Sequence, residues 1–359
     1  MGVEEEYQLL DAESGSLKPV NDMVLDVAEK SMGDAVHPEL LRSQVEVSTP
    51  ICTSLDQVEA ELRALRRRLN VAAGRYGCRL GAAGTHPSAR WDTQEVTPSE
   101  RYLAMATEFQ QMALETLIFG CHVHVGIDDP DLRIEVMNRI RPWLPTVLAL
   151  SANSPFWGGR DTGYASYRTM VFRRWPTTGT PQHFVDNGDY ERVIKTLVHA
   201  GALEDATHLY WYVRPSARFP TLEVRIADVC LTVDDAVTLA GLIAAMVATA
   251  RQDAARGGPG DDARYELMEA AVWRAARHGL TDRLIDVPSA GLLPASEVVR
   301  GLLDTLRPSL EDSGTWDRVD QGVEQILRHG GGASQQRQRY RASGSLGAVA
   351  RFIADQTAA

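Results

Sequence analysis

The sequence predicts an α+β fold built on a largely antiparallel or mixed sheet. Three observations predict it. Short segments that alternate polar and apolar residues fall before about residue 230, and stretches with an apolar period of three and four dominate after it. Nowhere does strand, helix and strand alternate at parallel-sheet spacing.

Taken in order, residues 3–11 alternate as a first strand and run into a turn at Ser14-Gly15-Ser16. A second alternating run covers 43–47. From Ser54 the period changes: Leu55, Val58, Leu62, Leu65 and Leu69 mark a long amphipathic helix with Ser54 as its N-cap. Arg66, Arg67 and Arg68 fall mostly outside that stripe, on what reads as a solvated face. After Arg79 a strand-like stretch leads to Gly84-Thr85-His86-Pro87, where Pro87 holds His86 extended. A helix over 99–119 delivers the chain into an alternating run at 120–126. Another spans 132–150, and Pro142 and Pro145 should kink or split it. The polar stretch 151–189 reads as a functional loop, because it is long and rich in aromatics, among them Trp157, Tyr167 and Trp175.

A helix over 190–200 follows, then strands around 209–213 and 221–229, joined by Arg214-Pro215-Ser216. A helix over 234–255 ends in the Gly/Pro/Asp-rich linker 256–262, and four helices complete the chain, at 264–278, 294–306, 311–328 and 346–354. The whole, 1–359, is expected to be one domain, with 1–256 bearing the sheet and the site, and 263–359 a helical part packed on it.

At 359 residues, 44% hydrophobic and 24% charged, the composition is globular and the chain long enough for a sizeable core. With 37 Lys+Arg against 48 Asp+Glu, the net charge of −11 argues against nucleic acid or an anionic membrane surface as general partners. Cys52, Cys78, Cys121 and Cys230 are too scattered for a disulfide framework and read as small buried hydrophobes. No leader pattern opens the sequence and no apolar run looks long enough to span a membrane, so a soluble cytoplasmic protein is expected, with homo-oligomerisation left open.

Four segments place carboxylate or imidazole groups on alternate strand positions: Glu4 with Glu6, Gln44 with Glu46, His122 with His124, and Glu223 with Arg225. Their neighbours Val45, Val47, Val123, Val125, Leu222 and Val224 then face a core. Glu5 falls on the face opposite Glu4 and Glu6. Carboxylates packed on one sheet face repel one another and resist desolvation, so a cation is expected among them. Glu4, Glu6, Glu46, His122 and Glu223 form an oxygen-rich set that suits Mg²⁺ or Mn²⁺ better than zinc. Solvated strand edges are the competing reading of each segment alone; the conjunction favours metal. Several carboxylates suggest more than one ion, hence a nucleotide, with Arg225 beside the phosphates. The chain has no G-x-x-x-x-G-K-[ST] phosphate loop. Gly330-Gly331-Gly332 followed by Arg337, Arg339 and Arg341 reads either as an anion wrap or as a helix C-cap with a solvated basic run. Arg160, Arg168, Arg173, Arg174, Arg214 and Arg218 suit a carboxylate- or phosphate-bearing substrate, or surface salt bridges.

With these segments in view, the chain resembles the carboxylate–amine ligases of the second glutamate–cysteine ligase group, which share the glutamine synthetase-like catalytic fold. The matching segments are Gly2-Val3-Glu4-Glu5-Glu6 with Asp11, Gln44-Val45-Glu46 with Thr49-Pro50, Gly84-Thr85-His86-Pro87, Gly120 through Gly126, Asp161-Thr162-Gly163 with Ser166 and Arg168, Trp211 with Arg214-Pro215-Ser216, and Thr221 through Arg225 with Asp228. The resemblance implies a bent antiparallel half-funnel sheet with helices outside, and ATP with Mg²⁺ or Mn²⁺ against its inner face. It implies Glu4, Glu6, Glu46, His122 and Glu223 as metal ligands, and Glu223 and Arg225 as catalytic, with Arg225 beside the transferred phosphate. His124, with Arg225 and Arg337, is expected to serve the nucleotide, and Arg160, Arg168 and Arg214 the substrate. The implied reaction phosphorylates a carboxylate and lets an amine attack the acyl phosphate, with L-glutamate and L-cysteine as the default pair. A different acid and amine, a phosphagen-type kinase and a non-catalytic amino-acid or nucleotide sensor are the alternatives. One departure touches acceptor selection: Tyr212 stands where many members carry Asp.

Overall fold

The computed structural model describes residues 1–258, 260 and 263–359, so the expected linker lies partly outside the described residues. Strand β1 (Gly2–Asp11) is followed by helix α1 (Asn21–Met32), β2 (Val36–Pro38) and β3 (Gln44–Ser48). Helix α2 (Leu55–Gly74) starts where the apolar period changes, and the Ser54 hydroxyl accepts the Gln57 N–H at 3.2 Å as its cap. Then come β4 (Cys78–Gly81), α3 (Glu100–Phe109), α4 (Gln111–Leu114) and β5 (Gly120–Gly126). Helices α5 (Pro130–Ile140) and α6 (Leu144–Ser151) are split by a 3-10 turn at Arg141–Trp143, as Pro142 and Pro145 require. The long loop holds the small hairpin β6 (Phe156–Trp157) and β7 (Arg160–Asp161) and helix α7 (Tyr167–Phe172). Next are α8 (Asn187–His199), β8 (Val213–Pro215), β9 (Thr221–Asp228), α9 (Val233–Ala255) and α10 (Tyr265–His278). A second hairpin, β10 (Arg283–Asp286) and β11 (Gly291–Pro294), precedes α11 (Ala295–Asp312), α12 (Trp316–His329), α13 (Gly331–Ser343) and α14 (Leu346–Ala358).

The main sheet runs β2-β3-β1-β5-β9-β8, with β4 also on β1, and every pairing is antiparallel. Its register puts Glu6 opposite Glu46, Glu4 opposite His122, and Glu223 opposite both His124 and Arg214. Val45, Val47, Val123, Leu222 and Val224 are buried on the other face, as the alternation predicts, and Val3 joins them, whereas Val125 near the end of β5 is only partly buried. Burying each contributes roughly 1.5–3 kcal/mol, and a one-residue slip would exchange all of them with the carboxylates, so the register is strongly specified. Behind the sheet α9 packs against α2, α5, α6, α11 and α12. A Cβ on Gly241 would meet Val319 at 2.7 Å and Leu55 at 2.8 Å, so this glycine permits the close crossing of α9 with α2 and α12.

Several expectations change. The helix expected over 99–119 breaks at Gln110, whose φ of 48° is left-handed, and the helical residues end at Leu114. Arg214 and Pro215 lie within β8 and the turn comes after them; β8 ends the strand order, and an edge strand tolerates proline. The C-terminal part contains the β10–β11 hairpin as well as helices. Helix α1 was not anticipated, since no side chain caps its start, and neither was α13, which is polar nearly all round. Helix α9 has 23 residues and is long and apolar enough to span a bilayer, against the expectation that no run reaches that length; most of it is buried within the protein, as in a core helix. Arg66, expected on a solvated face, is buried. All four cysteines are buried and free.

Gly120, at the start of β5, leaves room for the Arg168 guanidinium, which would collide with a Cβ there. Gly120→Ala should therefore cost about 1–3 kcal/mol through overpacking. Gly126→Ala, in the same strand with nothing within 4 Å of the added carbon, should be near neutral. Urea unfolding of the two variants beside the parent chain measures the difference.

Candidate active site

The polar face of the sheet gathers groups from β1, β3, β5, β9 and β8 into one cluster. His122 Nδ1 lies 3.0 Å from Glu4 Oε2 and 4.0 Å from Glu223 Oε1, and its Nε2 lies 3.8 Å from Glu6 Oε1. His124 Nε2 is 3.3 Å from Glu4 Oε1, and its Nδ1 faces the Thr221 hydroxyl at 3.0 Å. Two sets of ligand atoms lie within 4.8 Å of one another: Glu4, His122 and Glu223, and Glu6, Glu46 and His122. His122 belongs to both, so the face has the layout of two neighbouring cation positions sharing an imidazole.

The electrostatics divide the face. Burial alone raises a carboxyl pKa, yet Glu4 is held well below the usual range by hydrogen bonds to His122 and His124. Glu223 is also lowered against its burial, by the guanidinium groups of Arg225 and Arg214. Glu46 is pushed well up, first by burial and then by Glu39, Glu4 and Glu6. Glu39 is pushed up to about 8 by burial and then by Glu6. Burial, with Arg225 next, lowers the His122 imidazole and favours the neutral form a metal ligand needs. Hard oxygen donors, one neutral imidazole and a carboxylate end in want of positive charge fit Mg²⁺ or Mn²⁺. The buried His124 Nε2 also lies 3.9 Å from Glu223 Oε1, so this imidazole faces both carboxylates of the first set.

The arginines fall into four settings. Arg225 bonds to Glu223 Oε1, and Arg214 donates to Glu223 Oε2 at 2.9 Å and to the carbonyls of Thr207 and Leu209. These two belong to the carboxylate face. Arg168 is buried beside β9, donating to the carbonyls of Ile226 and Arg225 at 3.2 and 3.4 Å and lying 3.9 Å from Asp228. Its contacts make it a strut for the strand that carries Glu223 and Arg225. Arg160 is exposed in the β6–β7 hairpin, paired in register with Trp157. Arg337 donates to both Asp161 carboxylate oxygens, at 2.9 and 2.7 Å, and to the Tyr164 carbonyl, so it clasps the long loop onto α13. Gly330 caps α12 in the left-handed conformation, the C-cap alternative for that glycine run.

Tyr212 is buried, and its hydroxyl has no hydrogen-bond partner. Burial, with Glu269 next, raises its pKa, which places the phenol among the charges of Glu269 and Arg173. His86 is structural: its Nε2 meets the Gly15 carbonyl at 2.8 Å and its Nδ1 accepts the N–H groups of Ser88 and Ala89. Burial lowers its pKa to about 4, so it stays neutral. Glu39 was missed by the sequence reading. The signal was the alternation His37-Pro38-Glu39, with His37 opposite Glu46, hidden because the strand has only three residues and contains proline.

A cation bound here reverses the repulsion that raises Glu39 and Glu46. Glu39 takes up a proton below about pH 8 without it and the Glu46 carboxyl is also pushed well up, so binding should release protons and affinity should climb with pH through that range. Mn²⁺ calorimetry in two buffers of different ionisation heat measures the release.

The family model described as glutamate–cysteine ligase family 2 matches residues 1–354. A provisionally named glutamate–cysteine ligase 2 of Rhodopirellula baltica is 39% identical over 362 residues, covering 99% of this chain and 96% of its own. The glutamate–cysteine ligase of Francisella tularensis, solved in complex with AMP, superposes with a TM-score of 0.72 at 12% identity, covering 100% of this chain and 88% of its own. The bifunctional glutathione synthetase of Pasteurella multocida gives a TM-score of 0.70 at 16% identity over 99% of this chain, which spans only about half, 51%, of that longer protein. The fold is thus the expected α+β, glutamine synthetase-like one. With a model matched over nearly the whole sequence and a relative of equal length, the chain belongs to glutamate–cysteine ligase family 2, whose members are ATP-dependent carboxylate–amine ligases.

Proposed function

We propose that the polar sheet face binds ATP with Mg²⁺ or Mn²⁺, activates a carboxylic acid as its acyl phosphate and joins it to an amine, with L-glutamate and L-cysteine as the default pair and the cytoplasm as its location. The observation that carries this reading is the convergence of Glu4, Glu6, Glu46, His122 and Glu223 beside Arg214 and Arg225 on one sheet face.

A carboxylate and a triphosphate are both anions, and bringing them together requires fixed positive charge. Divalent cations, when bound, neutralise phosphate charge and orient the phosphoryl group. Glu4, Glu223 and His122 would hold one position, and Glu6, Glu46 and His122 the other, with the Glu39 carboxyl adding negative charge near the second. Arg225, anchored by Glu223, presents a fixed guanidinium to the transferred phosphoryl group. Arg214, its backbone partners set, holds Glu223 from the other side. The carboxylate oxygen takes the γ-phosphoryl group and ADP leaves. The amine nitrogen then forms the amide bond, inorganic phosphate departs and the amine loses a proton. Arg168 contributes by bracing β9, and Arg337 by fixing the loop around Tyr164; Arg160 stays available to solvent.

Incubation with ATP, Mg²⁺, candidate acids and hydroxylamine separates the alternatives. Hydroxamate formation supports the ligase. A stable phosphorylated product without acceptor supports the kinase, and nucleotide binding without ADP release across the panel supports the sensor. Glu223→Gln and His122→Ala should each abolish metal-dependent ADP formation while circular dichroism stays unchanged; full turnover in either variant overturns the ligand assignment.

A further inference from the structure

On the core face of β1, between Glu4 and Glu6, Glu5 is completely buried. Its carboxylate meets Arg66 of α2, with Nη2 at 2.5 Å from Oε1 and Nε at 3.0 Å from Oε2, and it also accepts the Tyr7 hydroxyl. Arg66 Nε reaches the Tyr7 oxygen at 3.1 Å as well. The same guanidinium also reaches the chain beyond β9. Nη1 donates to the Leu231 carbonyl at 3.2 Å and Nη2 to the Cys230 carbonyl at 3.0 Å, just past the end of β9.

We infer that Arg66 is a positioning residue for the cation-binding face, a clamp that sets the span between the β1 ligands and those of β9. The inference rests on reading that face as a cation site. β1 and β9 are not neighbours, because β5 lies between them, so their own hydrogen bonds fix the Glu4-to-Glu223 span only through a strand whose pairing with β9 shifts register between Cys121 and Val123. Arg66 bypasses β5 and ties β1 to the segment that directly follows β9. Glu5 shares its backbone with Glu4 and Glu6, so any movement of the Arg66 anchor is passed to both ligands at once. A planar guanidinium can satisfy a carboxylate and two carbonyls together, whereas an ammonium group cannot span them in the same geometry. A buried ion pair is a weak source of stability compared with apolar side chains of the same size, so geometry is the function this arrangement serves best.

The test uses Arg66→Lys and the double variant Glu5→Gln/Arg66→Met, which leaves no charge buried without its partner. Mn²⁺ binding is followed by electron paramagnetic resonance, beside circular dichroism and thermal unfolding. Loss of a residue that orients metal ligands weakens metal binding by about 10–100-fold, and that loss is expected in whichever variant folds. A folded variant of either kind that binds Mn²⁺ as tightly as the parent overturns the clamp, whatever its melting temperature. Should the parent chain itself bind no Mn²⁺, the reading of the face falls first and the clamp with it, a result distinct from parent-like binding in the variants.

Discussion

The structure depends on an electrostatic constraint: carboxylates crowded onto one face of an antiparallel sheet cannot all stay ionised unless positive charge is brought among them. Glu4 and Glu223 are satisfied by imidazoles and guanidinium groups already in place. Glu46 and Glu39 are not, and burial with mutual repulsion drives their carboxyls towards the neutral form. The protein holds this unfavourable arrangement because the opposite face of the same strands is buried and, apart from the Glu5–Arg66 pair, largely apolar, which locks the register. One face supplies the buried apolar packing and the other gathers the charge, and each strand serves both.

That coupling explains why so much was legible in the sequence. The period-2 pattern records which side chains share a face, so Glu4, Glu6, Glu46, His122 and Glu223 could be grouped before any strand order was known, and the structure does bring them together. The same pattern correctly set Glu5 on the other side. Pattern alone could not say that Arg66, three residues from Arg63 on an apparently charged helix face, turns inward to meet it, because the partner lies 61 positions away. Glu39 escaped for a local reason, a strand too short to show a period. Helix α13 escaped for a tertiary one: Gln336 bonds to Asn153 and Arg337 to Asp161, so polar contacts rather than an apolar stripe hold it in place.

The arginines show the limit of reading function from residue type. Arg168 and Arg214 stand in similar sequence settings, near aromatics and within family-like segments, and both are largely enclosed. Arg214 spends its donors on Glu223 and so shapes the charge of the site, whereas Arg168 spends its donors on backbone carbonyls of β9. The buried Asp228 beside it accepts from the Asn153 amide and from the Ser154 and Ser166 hydroxyls, which fastens the long loop to the end of the same strand. The loop's aromatics, including Trp157 against Tyr167 and Trp175 against Tyr210, pack largely on one another and their neighbours. Arg168 and the loop residues Asn153, Ser154 and Ser166 thus brace β9.

The division of charge also gives the face a direction. One end, around Glu223, Arg225 and Arg214, already balances its carboxylate and holds guanidinium groups suited to an incoming anion. The other end, around Glu46, Glu6 and Glu39, lacks positive charge and suits a cation. An ATP-dependent ligase must hold an anionic phosphoryl group and the cations that accompany it side by side, and a sheet face that is cation-seeking at one end and anion-accepting at the other meets both needs. His122, which touches both ligand sets, stands where they join. Its lowered pKa keeps the imidazole uncharged there, so the junction adds no positive charge to oppose a metal ion.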